Sequence, residues 1–238
     1  MSSTQADPVA DVIGPGRRAY SSAEAIRPGA GTGDLAARPS WRERLAAAEW
    51  RVRDVTISVG LLIATLPVSL AAICLIKLDS PGPVFYHQVR AGLHGQPFTL
   101  LKFRTMRQDA ESGGPCWAAV RDPRVTRIGA YLRAARIDEL PQLLNVLRGD
   151  MSLIGPRPER PHFVSELARV IPDYNQRTGI LPGITGWAQV NRPYGASVED
   201  ARDKLRYDLY YVRHRGRRLD LRILLATIRV VLLGIGAR

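Results

Sequence analysis

From Val55 to Ile76 the chain runs 22 residues without a charge, VTISVGLLIATLPVSLAAICLI. A run longer than about 18 predicts a membrane segment, with a buried core helix as the alternative. Pro67 stands inside the run, where a proline removes a helical hydrogen bond and clashes with the preceding turn, so a kink or break is predicted there. The flanks argue against a simple crossing. Arg42, Arg44, Arg51 and Arg53 precede the run while Lys77 and Arg90 follow it, so the positive-inside bias would hold the N-terminal flank in the cytoplasm and expel the larger C-terminal part. A helix that enters, breaks at Pro67 and returns keeps both flanks on one side. Backbone groups freed at the break then need partners, for which the Thr65 and Ser69 hydroxyls or a neighbouring helix are candidates.

Elsewhere the pattern is that of a mixed helical and extended domain. SWRERLAAAEWRVRD, from Ser40, predicts a capped amphipathic helix whose Trp41 and Trp50 suit either a membrane interface or the protein's own core. DSPGPVFYHQVRAG reads as a turn and a strand, PFTLLKFRTM as a second strand, and together they predict a hairpin. Two helical patterns follow, divided near Ile137. MSLIGPRPERPHF is a short apolar piece ending in a proline-fixed turn, with a helix from Phe163. ILPGITGWAQVNRPYG predicts an irregular loop with short extended pieces. SVEDARDKLRYDLYYVRHR is helical, and Ser197 to Asp200 has the spacing of a capping box. The last pattern, LDLRILLATIRVVLLGIG, is an apolar helix in which Arg222 and Arg229 share a face, as an interfacial helix requires.

Composition narrows the partners. A formal charge of +12 points to nucleic acid, an anionic membrane surface or phosphorylated small molecules. No nucleic-acid recognition motif accompanies it. With three lysines among 34 basic residues, the arginine bias belongs to the whole chain, and a single arginine is weak evidence of phosphate binding. Two cysteines, Cys74 in the apolar run and Cys116 in GGPCWA, predict neither a disulfide framework nor a cysteine metal site. Residues 1–39 are rich in Gly, Ala, Pro and Ser and predict a disordered tail without a signal peptide.

The chemistry concentrates in RAARIDELPQLLNVLRGDMSLIGPRP, where Asp138 and Glu139 are adjacent. Pro141 is tolerated in a first helical turn, so a helix is predicted to start here with Asp138 near its N-cap and Glu139 complementing the dipole. A helix N-terminus also binds phosphate, and adjacent carboxylates favour a divalent cation. Arg133 and Arg136, five and two residues upstream, can bring positive charge to the same end or remain solvated. Cap and reacting group both fit the pattern.

KFRTM, DPRVTRIGAYLR, DELPQLLNVLRGDMSLIGPRP, PGITGWAQVN and DLYYV, in that order, resemble the bacterial sugar transferases, the monotopic phosphoglycosyl transferases that act on polyprenyl phosphate. The likeness runs from about Trp50 to the C-terminus, and VNRPYGASVEDARDKLRYDLYYV is most similar to the exopolysaccharide- and exosortase-associated branch. Some members carry additional spanning helices before this core; here a polar tail stands in that place. The resemblance implies an α+β fold: a membrane-embedded re-entrant helix with a compact cytosolic catalytic domain of short strands and interfacial amphipathic helices. It divides the chain into a tail (1–39), the amphipathic and re-entrant helices (40–80) and the phosphoglycosyl transferase domain (81–238). It further implies that Asp138 is the nucleophile, attacking the sugar-linked phosphate of a UDP-sugar with release of UMP, and that polyprenyl phosphate then takes the phosphosugar. Glu139 matches the Mg²⁺ ligand, with Asp138 beside it completing the carboxylate pair, while Arg133, Arg157 and Lys102 match phosphate-contacting positions. The implied location is the cytoplasmic face of the bacterial inner membrane, with a homo-oligomer left open. After AQVN many members continue Gly-Arg-Asn where this chain has Arg192-Pro193-Tyr194-Gly195, which leaves the sugar open. A non-catalytic scaffold for polysaccharide assembly is the alternative function, and a scaffold has no need of the carboxylate pair.

Overall fold

The computed structural model describes residues 41–110, 122–192 and 197–232. The predicted tail, Cys116 and most of the Arg192–Gly195 departure lie outside the described residues. The chain parts into two units between Trp50 and Arg51, and everything that builds the site belongs to Arg51–Arg238.

Helix α1 (Trp41–Ala64) gives way at Thr65 to α2 (Leu66–Asp79), which has Pro67 in its first turn. The two are bent by 60°. Pro67 has no N–H to offer the carbonyl four residues back, so the helix ends and restarts there, as the sequence predicts. The Thr65 hydroxyl bonds at 2.7 Å to the Leu61 carbonyl, which also accepts the Thr65 N–H at 2.8 Å. Among the described residues no single helix is long and apolar enough to cross a membrane, whereas the bent pair is, by length and composition. Leu61, Ile63, Leu66, Val68, Leu70, Leu75 and Leu78 are exposed along it.

Strands β1 (Phe85–Ala91) and β2 (Pro97–Phe103) form the expected antiparallel hairpin, with Tyr86 opposite Lys102. Helix α3 (Arg127–Ala134) is capped by the Thr126 hydroxyl, which accepts from the Gly129 N–H. After a short 3₁₀ turn, Ile137–Glu139, come α4 (Gln142–Arg148) and β3 (Ser152–Ile154). Then α5 (Pro161–Val170), a second 3₁₀ segment (Tyr174–Gly179) and β4 (Gly183–Thr185) follow. β3 and β4 pair in parallel. The pairing requires glycine, because a Cβ on Gly183 would lie 2.0 Å from the Gly155 nitrogen. The stretch expected to be irregular beyond β4 instead forms a short helix, α6 (Trp187–Asn191). Its turn is closed by the Arg192 N–H on the Ala188 carbonyl and by the Asn191 side chain on that of Trp187. Helix α7 (Val198–His214) begins with the predicted capping box of Ser197 and Asp200. Helix α8 (Arg217–Leu232) exposes Leu221, Leu225 and Ile228 beside Arg222 and Arg229.

The main core gathers Leu100, Leu143, Val146, Met151, Ile154, Tyr211 and Ile223, joining β2, α4, β3, α7 and α8. A second cluster, Ala72, Ile76, Phe103 and Leu132, packs α2 against β2 and α3. Both limbs of the bent helix are thereby tied to the elements that flank Asp138. The Arg51 guanidinium donates to the Val146 and Leu147 carbonyls at the end of α4. On the other limb the Asp79 carboxylate accepts the Ile128 N–H at the start of α3, at 3.2 Å.

Candidate active site

The turn between α3 and α4 starts from a strained residue. Arg136 has φ 58°, in the left-handed region, where a non-glycine residue costs about 1–2 kcal/mol. The reversal ends α3 and tucks Ile137–Glu139 into a 3₁₀ turn against β2. It also corrects the expected cap: α4 begins after Pro141, and no side chain caps it. Asp138 therefore sits in the turn before the helix, with its carboxylate unused by helix N–H groups. Proline at position 141 lacks the N–H that a carboxylate three residues earlier would bind.

Asp138 and Glu139 are both buried, at 8% and 9% exposure, yet their surroundings differ. Glu139 Oε1 accepts a hydrogen bond from Arg157 at 2.5 Å, and Lys102 Nζ lies 3.5 Å and Arg136 3.9 Å from the same oxygen. Burial opposes the charge on Glu139, but Arg157 and Lys102 overcome it and hold the carboxyl well below the usual carboxylate range. Among the described residues no hydrogen bond or ion pair reaches the Asp138 carboxylate. Burial pushes its pKa up, Lys102 draws it down, and the neighbouring Glu139 charge pushes it up again. Lys102 is itself lowered by burial, against the pull of Glu139.

Each of these cations arrives on a different element. Lys102 stands on β2, held against α4 by Asn145, whose side chain accepts the Leu101 N–H at 3.0 Å and donates to the Thr99 carbonyl at 2.7 Å. Arg157 lies in the proline-rich loop after β3. Arg133 is in the last turn of α3, where its charge bears on Asp138. The structure thus brings Lys102, Asp138, Glu139 and Arg157 together, with Arg133 at the edge and Arg136 added as a third cation on Glu139. Sequence reasoning did not find Asn145, nor Arg90, Arg177 and Asp208 behind the Arg157 loop. Asn145 lies in DELPQLLNVLRGD and Asp208 opens DLYYV, but nothing in their spacing marks a role.

Among the described residues no group of three or more His, Cys, Asp or Glu side chains could hold a metal ion. Mg²⁺ does not require one, because it commonly binds through one or two carboxylates and completes its octahedron with waters and substrate phosphates. The donor set fits that pattern: among the described residues no hydrogen bond reaches Glu139 Oε2, and Asp138 is the neighbouring residue.

Residues 46–234 match the model of the bacterial sugar transferase family. The chain is 47% identical over 188 residues to a UDP-N-acetylgalactosamine-undecaprenyl-phosphate N-acetylgalactosaminephosphotransferase of Aeromonas hydrophila, covering 79% of this chain and 44% of that protein. It is 45% identical over 180 residues to a UDP-glucose:undecaprenyl-phosphate glucose-1-phosphate transferase of Caulobacter vibrioides, covering 75% and 67%. To the exopolysaccharide production protein PSS of Rhizobium leguminosarum it is 41% identical over 187 residues, covering 75% and 92%. The chain spans less than half of the Aeromonas relative's length. The family model nonetheless takes in both limbs of the bent helix and every residue of the site, and the chain belongs to the bacterial sugar transferase family.

Proposed function

We propose that the protein transfers a sugar 1-phosphate from a UDP-sugar to polyprenyl phosphate at the cytoplasmic face of the bacterial inner membrane, through a covalent intermediate on Asp138. One observation carries the reading: of two adjacent buried carboxylates, Glu139 is locked by cations while Asp138, among the described residues, has no hydrogen-bond or ion-pair partner and has its pKa raised by burial. A carboxylate whose lone pairs are not engaged by hydrogen bonds is a stronger nucleophile than a paired one. The Aeromonas and Caulobacter relatives, both named as undecaprenyl-phosphate sugar phosphotransferases, support the same reaction.

In the first step an Asp138 carboxylate oxygen bonds to the sugar-linked phosphorus, and the bond from that phosphorus to the bridging oxygen breaks, its electron pair leaving with UMP. In the second, a phosphate oxygen of polyprenyl phosphate attacks the same phosphorus and the acyl phosphate bond breaks, restoring the carboxylate. Both steps bring an anion to an anionic phosphate. Arg157, Lys102 and Arg133 supply fixed positive charge around the transferring group, which lowers the barrier where charge develops. Glu139 holds Arg157 and Lys102 in place. Glu139 and Asp138 would hold Mg²⁺, which would supply further charge neutralisation. The re-entrant reading of α1 and α2 serves this chemistry, because it keeps Asp138 on the side of the nucleotide sugar while the acceptor stays in the bilayer.

The relatives are named for different sugars, N-acetylgalactosamine and glucose, so the donor is found by experiment. Membranes containing the protein, offered a panel of UDP-sugars, should release UMP from one or a few of them and form lipid-linked sugar only when polyprenyl phosphate is present. Absence of UMP release from every UDP-sugar, with the protein folded, would remove the reading.

A further inference from the structure

Arg157 is held at its side chain by Glu139, but its backbone is held by something else. The loop Pro156-Arg157-Pro158-Glu159-Arg160-Pro161 has a proline at every second or third position, so it has few N–H groups with which to bond itself. Four successive carbonyls are instead captured from outside. That of Pro156 accepts the Gly183 N–H at 2.9 Å, that of Pro158 accepts from Arg90 at 3.0 Å, and that of Glu159 accepts the Ala91 N–H at 2.8 Å. The carbonyl of Arg157 accepts from the guanidinium of Arg177 at 2.9 Å.

Arg177 is buried at 7% exposure, in the 3₁₀ segment Tyr174–Gly179. Its Nε and a terminal nitrogen also donate to Asp208 Oδ2 on α7, at 2.9 and 2.7 Å, and Asp208 is buried at 3%. A buried ion pair contributes little net stability over apolar residues of the same volume. What an apolar pair could not supply is the remaining direction of the fork, the bond to the Arg157 carbonyl. A guanidinium can grip a carboxylate and a carbonyl at once because its donors are fixed in one plane.

We infer that Arg177, braced by Asp208, is a positioning residue for the transfer: it fixes the height of the Arg157 backbone so that the guanidinium meets Glu139 and the transferring phosphate together. The inference rests on the transferase reading above. α7 thereby acts on the reaction from behind the loop, touching neither substrate nor Asp138. Without the strut the Arg157 carbonyl loses its donor, the loop relaxes, and the guanidinium is displaced. A displacement of about an ångström in a substrate-positioning group costs on the order of 100-fold in rate.

The test uses the full chain in membranes, with the UDP-sugar that supports UMP release. Two changes remove the strut. The double substitution Arg177→Met with Asp208→Leu leaves no unpaired buried charge, and Arg177→Lys keeps the charge opposite Asp208 without a planar fork. In each, kcat should fall by about 10- to 100-fold with KM for the UDP-sugar within about threefold. In an Arg157→Ala background the same changes should cost less than about twofold more, because they act through a side chain already absent. Thermal unfolding identifies which variants are folded, and Arg177→Lys decides if the double substitution is not. A folded variant with wild-type kcat, or an equal loss in the Arg157→Ala background, overturns the inference. Wild-type protein that releases no UMP would instead sink the transferase reading and leave the strut unmeasured by kinetics; the thermal stability of Asp208→Asn in the Arg157→Ala background would then show whether the pair serves stability alone, which also counts against it.

Discussion

At the foot of the bent helix, Asp54 and Asp220 each have both carboxylate oxygens engaged. Ser152 donates to Asp54 at 2.6 Å and Arg53 to its other oxygen at 3.2 Å, while Tyr211 donates to Asp220 at 2.7 Å and Arg53 to its other oxygen. At the α3–α4 turn, Asp138 is buried too, at 8% exposure against 3% for Asp54 and 2% for Asp220, and among the described residues no hydrogen bond or ion pair reaches its carboxylate. Both clusters are buried acids among arginines, so burial and charge do not distinguish them. Saturation does. A carboxylate engaged at both oxygens has few lone pairs left to offer, whereas one that no donor engages keeps them for a substrate or a cation. The first cluster fastens α1 to β3, α7 and α8; the second leaves one carboxylate, that of Asp138, free of hydrogen bonds among the described residues.

The largest expected effect breaks the comparison at Asp138. Asp138→Asn should lower transfer by about 10⁴-fold or more, as loss of a covalent nucleophile does, while thermal unfolding stays within a few degrees of the parent. Turnover of the purified variant near the parental rate would remove the nucleophile assignment. Asp220→Ala should do the reverse. It leaves Arg53 and the Tyr211 hydroxyl short of a partner and should cost about 3 kcal/mol or more of stability, with near-parental activity per folded molecule. Denaturant titration beside a rate assay on the same sample reads both, and an unchanged midpoint would show the network to be idle.

A smaller effect sharpens the electrostatics. In the proposed reaction Asp138 attacks only when ionised, so activity should fall as pH drops through its pKa, which burial pushes above the ordinary carboxylate value. Lys102 draws that pKa down. Lys102→Met should therefore move the acid limb of the pH–rate profile to higher pH, besides lowering the rate; a limb that stays in place, or moves to lower pH, would show that Asp138 does not feel Lys102.

Smallest in its effect on rate is the test of the bend. Pro67→Leu should allow a continuous helix over Val55–Ile76, about 33 Å at 1.5 Å per residue, against a hydrocarbon core of about 30 Å. In a background lacking Cys74 and Cys116, a cysteine at Ser3 should be protected from an impermeant thiol reagent in intact cells, and become partly labelled once Pro67→Leu is introduced. Labelling of the parent would contradict the re-entrant topology, and protection in both would deny Pro67 its part.

Much of this was legible from local pattern. The uncharged run with Pro67 announced the bent pair, alternation announced the β1–β2 hairpin, and Ser197 with Asp200 announced the start of α7, since each is decided by residues near in sequence. The helix Trp187–Asn191 was hidden by the glycines and prolines around it. Asp138 was misplaced as a helix cap because its residue type and position are those of a cap, and only the left-handed Arg136 and the missing N–H of Pro141 put it in a turn instead. Arg177 and Asp208 are 31 residues apart and meet only through the fold, so no spacing could have paired them.

The central claim is that Asp138 carries the phosphosugar. Purified protein given its UDP-sugar without polyprenyl phosphate should release a burst of about one UMP per active site and gain the mass of one sugar phosphate on the peptide containing Asp138. Adding polyprenyl phosphate should remove that mass as lipid-linked sugar forms. UMP formed only in the presence of polyprenyl phosphate, with no adduct at any time, would mean direct transfer and would contradict the account.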